Sequence, residues 1–233
     1  MTKIKICGLK DKTDAIFAAS LGVDYLGVVF VENVKRKVTF DQAQDIVNSL
    51  SEIKDKPKLV GLFADQPLDY VKNTFSKFSL DYAQLCGDEN FSYLTDLNLP
   101  FIKQIKIFEN MKLTDAFNCI EKIQSIGGLV SIDSYMKGHF GGSGKLINLS
   151  NAKKIIQKYN VLLAGGLNTE NIQRITEDLY PWGVDVSSGV ESNGIKDKDK
   201  IERELWKNIE YNLPADYTDI IKKLLAMDLN QKI

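Results

Sequence analysis

Residues 161–189 read VLLAGGLNTENIQRITEDLYPWGVDVSSG, and this stretch decides the fold. A short apolar run at 161–164 leads through two glycines into an amphipathic stretch and then into a second apolar run at 184–186. Near-continuous apolar strands separated by a helix are typical of parallel strands that helices cover. The stretch therefore predicts a strand, a helix and a second strand parallel to the first.

The same alternation repeats along most of the chain. The predicted strands are residues 4–7, 25–30, 59–63, 82–85, 101–107, 129–133, 161–164 and 184–186. The predicted helices are residues 14–21, 41–50, 67–78, 90–97, 114–126, 150–159, 169–175 and 197–211, with Thr169 at the start of the seventh. Eight such units in one domain-sized chain fit the α/β class and a single (β/α)8 TIM barrel over residues 1–211. An open doubly wound sheet is the alternative.

The last 22 residues depart from the alternation. Pro214 breaks the eighth predicted helix, and apolar residues then recur at helical spacing from Tyr217 to Leu225. We expect residues 212–233 to form an extra C-terminal helix that packs on the barrel. The alternative is a contact surface for another subunit.

Composition excludes several classes of protein. The 30 Lys and Arg residues are balanced by 31 Asp and Glu residues, so no basic surplus points to nucleic acid or to a membrane surface. The three cysteines lack metal-site or disulfide-framework spacing, and no long apolar segment suggests a signal peptide or a membrane span. We expect a cytoplasmic protein with reduced thiols and no metal.

The chemistry of a barrel belongs at the carboxyl ends of its strands. Gly165-Gly166 follows the seventh predicted strand, and Ser188-Gly189 follows the eighth. Glycines let backbone amides approach an anion closely, and barrels frequently bind phosphate between these two loops. The pattern predicts a phosphate site, although Gly165-Gly166 alone could be a tight turn.

Cys7 and Asp133 end the first and sixth predicted strands. A cysteine among apolar residues is usually packing material, whereas a carboxylate that ends an apolar strand is costly unless it is paired or used. Facing each other across the barrel mouth, the two groups could remove a proton and donate one. Lys5 could assist Cys7 or be structural.

The glycine-rich segment Gly141-Gly142-Ser143-Gly144-Lys145 is not a P-loop. Leu146 stands where Ser or Thr would be needed, and the spacing to Gly138 is one residue too long. A lid over the site is the favoured interpretation and an exposed loop is the alternative. His139, the single histidine, is given no role.

These motifs together resemble the phosphoribosylanthranilate isomerase family of tryptophan biosynthesis. The resemblance runs in order from residue 3 to about residue 201. It rests on Lys5-Ile6-Cys7-Gly8-Leu9, Val60-Gly61-Leu62-Phe63, Gln66-Pro67-Leu68, Gln84-Leu85, Gly87-Asp88-Glu89, Asp133-Ser134, the glycine-rich segment, Leu163-Ala164-Gly165-Gly166-Leu167-Asn168, Gly183-Val184-Asp185-Val186-Ser187-Ser188-Gly189-Val190-Glu191 and Lys196-Asp197.

The resemblance implies a (β/α)8 barrel that performs an Amadori rearrangement without a metal or organic cofactor. The substrate would be N-(5-phosphoribosyl)anthranilate and the product 1-(2-carboxyphenylamino)-1-deoxyribulose 5-phosphate, a small-molecule partner for a monomer or homodimer. By resemblance Cys7 is the base and Asp133 the acid. The implied substrate-binding residues are Arg36 for the anthranilate carboxylate, Asp185 for the sugar hydroxyls, and Gly165, Gly166, Ser188 and Gly189 for the phosphate.

The chain departs from the family pattern at three places. The family has Ser-Pro where Val34-Lys35 stands, often His where Cys86 stands, and Phe-Asp-Trp where Ile147-Asn148-Leu149 stands. Two rival hypotheses follow. The related isomerase of histidine biosynthesis has an aspartate at the end of strand one, where this chain has Cys7. A catalytically silent barrel that binds a phosphate ligand, or a partner through its tail, is the other.

Overall fold

A computed structural model of the chain describes residues 2–108, 111–134 and 149–209. Its strands are β1 Lys3–Cys7, β2 Tyr25–Val29, β3 Lys58–Phe63, β4 Tyr82–Leu85, β5 Phe101–Ile107, β6 Leu129–Ser134, β7 Val161–Ala164, β8 Gly183–Val186, β9 Glu191–Ser192 and β10 Ile195–Lys196. Its helices are α1 Lys12–Ser20, α2 Phe40–Leu50, α3 Leu68–Lys77, α4 Phe91–Leu97, α5 Leu113–Gln124, α6 Leu149–Ile156, α7 Ile172–Leu179 and α8 Lys198–Ile209.

The first eight strands form a closed parallel barrel, because β1 pairs with both β2 and β8. This confirms the (β/α)8 TIM barrel and excludes the open sheet. The helices cover the outside, where one continuous apolar core fills the space between them and the strands. Phe30, for example, stacks between Phe63 and Phe78 at ring-centroid distances of 5.5 and 5.4 Å.

Several features differ from the sequence-based expectation. Helix α6 ends at Ile156 and not at residue 159, and α7 ends at Leu179 and not at residue 175. Helix α7 begins at Ile172 and not at Thr169, because the side chain of Asn168 accepts hydrogen bonds from the backbone N–H groups of Glu170 and Asn171 and holds a turn there. A short antiparallel hairpin of β9 and β10, which the pattern did not predict, lies between β8 and α8. The expected C-terminal helix at 212–233 lies outside the described residues.

The strand register sorts the barrel interior into layers. Gly27 of β2 pairs with Val60 of β3, and Val60 pairs with Tyr82 of β4. Because the strands of a barrel are staggered, the inward-facing residue of β4 at the height of Gly27 is not Tyr82 but Gln84, two positions further along the strand. The same step relates every second strand around the ring, and such layers are the usual filling of a TIM barrel. From the bottom upward the layers are Tyr25, Tyr82, Leu129 and Gly183; Lys5, Val60, Ile102 and Leu162; Gly27, Gln84, Ser131 and Asp185; Cys7, Leu62, Gln104 and Ala164; and, at the mouth, Val29 and Asp133.

Apart from Lys5, the lower two layers lack charged side chains, and the upper layers mix apolar residues with Gln84, Ser131, Asp185, Gln104 and Asp133. Tyr25, Val60, Ile102 and Leu162 form a buried cluster of their own, separate from the core under the helices. Most of the polar side chains of the interior lie towards the carboxyl ends of the strands. The apolar floor excludes water from below, so chemistry is confined to the mouth.

At the opposite end of the barrel, a carboxylate ties β1 to β2. Asp24 accepts a hydrogen bond from the backbone N–H of Ile4 at 2.8 Å and one from the Lys3 ammonium at 2.6 Å. Asp81 makes the same pair of contacts with Leu59 and Lys58 at the start of β3. These carboxylates hold the register on which the layers depend.

Replacing Asp24 with alanine should therefore destabilise the fold. The variant leaves the N–H of the buried residue Ile4 without this charged acceptor, so we expect the free energy of unfolding to fall by about 1–3 kcal/mol. Urea denaturation measures this loss. The control is Asp45→Ala, whose carboxylate is exposed and 3.9 Å from Lys12, and which should change stability by less than about 0.5 kcal/mol. Equal effects would contradict the role of Asp24.

Candidate active site

Cys7 and Asp133 occupy the two uppermost interior layers of the barrel, on β1 and β6. The Cys7 side chain is buried against β2, where a Cβ on Gly27 would lie only 2.8 Å from its sulfur. Asp133 is partly buried and accepts a hydrogen bond from the Gln104 side-chain amide at 2.8 Å. The register thus brings both predicted catalytic residues to the carboxyl end of the barrel.

Asp133 has a pKa suited to proton donation. Burial, and then the negative charge of Asp185, raise its pKa to about 6, against the smaller opposing effect of Lys106. A carboxyl group with this pKa is protonated far more often near neutral pH than an ordinary aspartate. It can therefore act as a general acid.

The Cys7 thiol is predominantly protonated in the free protein. Burial raises its pKa most strongly, while the positive charge of Lys5 counteracts part of that rise. Asp185 adds to the rise, and Lys196 and a hydrogen bond with Lys5 oppose it. A nearby cation can stabilise a thiolate, and Lys5 supplies a positive charge of this kind next to Cys7.

Lys5 and Asp185 form an ion pair inside the barrel. The ammonium of the fully buried Lys5 donates to Asp185 Oδ2 at 2.7 Å, and only 6% of the Asp185 side chain is exposed. Burial opposes the charge on Lys5, but Asp185 and then Cys7 outweigh burial and raise the lysine pKa. Asp185 Oδ1 is buried and has no hydrogen-bond partner among the described residues, which leaves it available to a hydroxyl group.

Arg36 lies at the mouth, in the loop between β2 and α2. Its Nε and Nη2 donate to the two carboxylate oxygens of Glu191 at 2.7 and 2.8 Å. Its Cδ packs on Gly8, which has a φ of +78° and where any Cβ would collide with the arginine. Arg36 therefore lies at the barrel mouth, and its partner Glu191 follows β8, which is two strands away around the closed ring.

A pocket of about 280 Å³ lies between the loops that follow β7 and β8. It is lined by Gly166, Leu167, Asn168, Thr169, Glu170, Ser188, Gly189, Glu191 and Lys200. Gly165 and Gly166 both have positive φ, 91° and 69°, which explains the need for glycine there. An isolated bridge pairs Asn168 with Gly189 and holds the two loops together. Ser187 ties this end to β1 through a hydrogen bond to the Cys7 carbonyl at 3.1 Å.

Cys86, which replaces a histidine of the family pattern, lies close to the same charges. Burial, and then the negative charge of a Cys7 thiolate, raise its pKa to about 12. The neutral thiol cannot supply the charge or the proton exchange of an imidazole at neutral pH.

Several polar residues of the site were missed by sequence reasoning. Gln104 contacts Asp133, and Glu191 contacts both Arg36 and Lys196. Glu191 and Lys196 belong to motifs that match the family. The sequence of a loop does not show, however, which residue a charged side chain in that loop will pair with. The glycine-rich segment, His139 and residues 147–148 lie outside the described residues, as does the side chain of Leu149.

The part of the chain that the structure describes has neither a metal-binding cluster nor a membrane-spanning helix. In the described ranges 2–108, 111–134 and 149–209, no group of three or more His, Cys, Asp or Glu side chains is arranged to hold a metal ion. Within that same part of the chain, no helix is both long enough and apolar enough to span a bilayer.

The fold and the pocket together define the class of protein. It is a (β/α)8 barrel in which the loops after β7 and β8 enclose a pocket large enough for an anion. This pocket lies at the carboxyl ends of the strands, where (β/α)8-barrel enzymes have their active sites. Residues 4–206 match the family model described as N-(5'phosphoribosyl)anthranilate (PRA) isomerase. The chain belongs to this family, which confirms the resemblance.

Individual relatives agree with the family model. The N-(5'-phosphoribosyl)anthranilate isomerase of Dehalococcoides mccartyi is 42% identical over 209 residues, which cover 86% of this chain and 93% of that protein. The phosphoribosyl anthranilate isomerase structure from Thermotoga maritima superposes with a TM-score of 0.78 at 28% identity, covering 89% of this chain and 98% of that one. Another structure of such an isomerase, in complex with reduced 1-(o-carboxyphenylamino)-1-deoxyribulose 5-phosphate, has a TM-score of 0.72 at 26% identity and the same coverage.

Substituting Gly189 with alanine should damage the pocket between the β7 and β8 loops. A Cβ at this position would collide with the carbonyl oxygen of Leu167 and lie 2.8 Å from Asn168 Cα, so the loops must separate. We expect the inhibition constant for inorganic phosphate to rise at least about tenfold, because separating the loops removes at least one charge-assisted hydrogen bond to the phosphate.

The control for this prediction lies in the turn between β9 and β10. Gly194→Ala places a Cβ that meets nothing within 4 Å and adds only the strain of a φ of +80°. It should bind phosphate as the wild type does. Unchanged phosphate inhibition in Gly189→Ala would remove this pocket as the phosphate site.

Proposed function

We propose that this isomerase converts N-(5'-phosphoribosyl)anthranilate to the ketose by an Amadori rearrangement in tryptophan biosynthesis, with Cys7 as base and Asp133 as acid. The observation that carries the proposal is the pairing of a carboxyl group of pKa about 6 with a buried thiol in the two uppermost barrel layers. The pocket between the β7 and β8 loops lies beside them. The substrate's phosphate would occupy that pocket, bound by Gly165, Gly166, Ser188 and Gly189.

The first step opens the sugar ring. Asp133 donates its proton to the furanose ring oxygen while the C1′–O bond breaks, and the anthranilate nitrogen supplies the electron pair that forms the C=N bond of a protonated Schiff base. At pH 7 about one-tenth of a carboxyl group with a pKa of about 6 carries the required proton. This share is about a hundred times that of an ordinary aspartate.

The second step moves hydrogen from C2′. Cys7 takes the C2′ proton, and the electrons of the broken C–H bond form C1′=C2′ as the iminium nitrogen is neutralised. The resulting enolamine becomes the ketone when C1′ gains a proton and the C2′ hydroxyl loses one, which restores both catalytic groups. Lys5, held by Asp185 beneath Cys7, stabilises the thiolate that starts this step.

The remaining groups bind the rest of the substrate. Asp185 Oδ1, buried and without a partner among described residues, would accept a hydrogen bond from a sugar hydroxyl. The guanidinium of Arg36 would pair with the anthranilate carboxylate. Cytoplasmic localisation and a monomeric or homodimeric state stay predictions.

Conservative substitutions at Cys7 and Asp133 should separate catalysis from binding. Cys7→Ser and Asp133→Asn keep side-chain size but remove the base and the acid, so kcat should fall at least about 100-fold. Affinity for the reduced product analogue should change little. Loss of substrate fluorescence measures turnover. The control is Cys119→Ser on α5, outside the barrel, which should be as active as the wild type. Full activity in Cys7→Ser would exclude Cys7 as the base.

The pH dependence of kcat/KM tests the acid. The active form needs Asp133 protonated and Cys7 ionised. In Asp133→Asn only the ionisation of Cys7 remains, so the ratio of variant to wild-type kcat/KM should be constant below pH 6. Above pH 6 wild-type Asp133 loses its proton, and the ratio should rise about tenfold per pH unit.

Taking the ratio of variant to wild-type kcat/KM cancels the effect of the substrate's own ionisation. The phosphate group also ionises near pH 6, but it affects variant and wild type equally. A ratio that stays flat from pH 5 to pH 8 would mean that Asp133 does not supply the proton.

A further inference from the structure

A buried carboxylate joins two cations at the rim of the barrel mouth. Glu191, on the short β9 strand, accepts both hydrogen bonds of Arg36 and a third from the Lys196 ammonium at 2.7 Å. The exposed fractions of the side chains are 7% for Glu191, 3% for Lys196 and 34% for Arg36. The cluster carries one net positive charge, since two cations share one anion.

Glu191 is ionised in this setting. Burial alone would raise its pKa, but the hydrogen bonds from Arg36 and then from Lys196 outweigh burial and lower it. Lys196 is itself anchored, because its ammonium also donates to the Ser187 carbonyl at 2.9 Å. The carboxylate therefore has a fixed position relative to the loop that follows β8.

The backbone of Glu191 belongs to the pocket between the β7 and β8 loops. Its N–H donates to the Ser188 carbonyl at 3.1 Å, and its carbonyl accepts from the Lys200 ammonium at 2.8 Å. Glu191, Ser188 and Lys200 all line that pocket. One residue thus connects the pocket through its backbone with Arg36 through its side chain.

Only part of the Arg36 guanidinium is occupied. Glu191 takes Nε and Nη2, while among the described residues no acceptor engages Nη1. The two parallel hydrogen bonds fix the plane of the guanidinium, and contact with Gly8 fixes its Cδ. The free edge consequently has one orientation at the mouth. The hydrogen bonds to Glu191 are the main cause of the raised Arg36 pKa, against the opposing effect of burial.

We propose that Glu191 is a positioning residue for the isomerase reaction: it holds the Arg36 guanidinium at a set distance from the phosphate-binding loops, so that its free edge meets the substrate's anthranilate carboxylate. This inference rests on the proposed function. In this role Glu191 sets the distance between the two sites that bind the anionic ends of the substrate, its phosphate and its anthranilate carboxylate. An Arg36 guanidinium held at this distance adds binding affinity for the carboxylate end of the substrate.

A purely electrostatic role would be different. In that case Glu191 would only neutralise two poorly solvated cations, and any carboxylate at this position would serve. The two roles make opposite predictions for Glu191→Asp, which keeps the charge but shortens the side chain by one methylene and so pulls Arg36 away from the substrate.

The experiment compares Glu191→Asp and Glu191→Gln with wild type in steady-state kinetics. We expect both variants to raise KM for N-(5'-phosphoribosyl)anthranilate about tenfold and to leave kcat within about threefold of the wild-type value. The reason is that one charge-assisted hydrogen bond, between Arg36 and the substrate carboxylate, is misplaced in the variants. Inhibition by inorganic phosphate should be unchanged, because the phosphate loops stay intact. A phosphoribosylaniline analogue, which lacks the carboxylate, should inhibit all three proteins equally.

Controls make each outcome decisive. Glu32→Gln changes an exposed glutamate that pairs with Lys37 in the same loop as Arg36, and should leave KM unchanged. A wild-type KM in Glu191→Asp would overturn the positioning role, as would equal losses for inorganic phosphate and substrate. Wild-type protein that does not turn over the substrate at all would instead contradict the proposed function. Because Glu191→Asp keeps the ion pairs that stabilise the loop, it provides the test even if Glu191→Gln does not fold.

Discussion

The stagger of the closed barrel is the constraint on which the site depends. Every second strand is offset by two residues in register, so alternate strands place their inward side chains in layers. Closure between β1 and β8 fixes this offset around the whole ring. A one-residue slip of β1 would exchange Ile6 for Cys7 in the interior and would remove Lys5 from Asp185. The catalytic geometry is thus a consequence of strand register and not of local loop structure.

The second determinant is the placing of charge in a poorly solvated interior. Lys5 and Asp185 are paired at 2.7 Å above an apolar floor, whereas Asp133 has only a neutral amide, from Gln104, as its hydrogen-bond partner within the described residues. Burial of a charge without a counterion favours the neutral form, and the pKa of Asp133 rises to about 6. The same burial raises the pKa of Cys7, and the positive charge of Lys5 opposes part of that rise. One environment therefore favours the protonated form of both Asp133, the proposed acid on β6, and Cys7, the proposed base on β1.

The sequence predicted the architecture well because each apolar run is bounded by polar residues or glycine, and the strand limits were correct to within one residue. The start of α7 was wrong by three residues, because the Asn168 side chain competes for the backbone N–H groups. Pairing could not be predicted. Arg36 and Glu191 are 155 residues apart, and Lys5 and Asp185 are 180 apart. Such contacts exist only once the barrel closes, and the pKa values depend on the burial that closure produces.

A structure of the protein with the reduced product analogue bound tests the central claim most directly. The account predicts that the analogue's phosphate lies between the β7 and β8 loops, and that Cys7 Sγ and an Asp133 carboxyl oxygen each lie within about 4 Å of the sugar, on opposite sides of it. A complex with the phosphate in that pocket but with either group more than about 6 Å from the sugar would contradict the account, because no direct proton transfer could then occur.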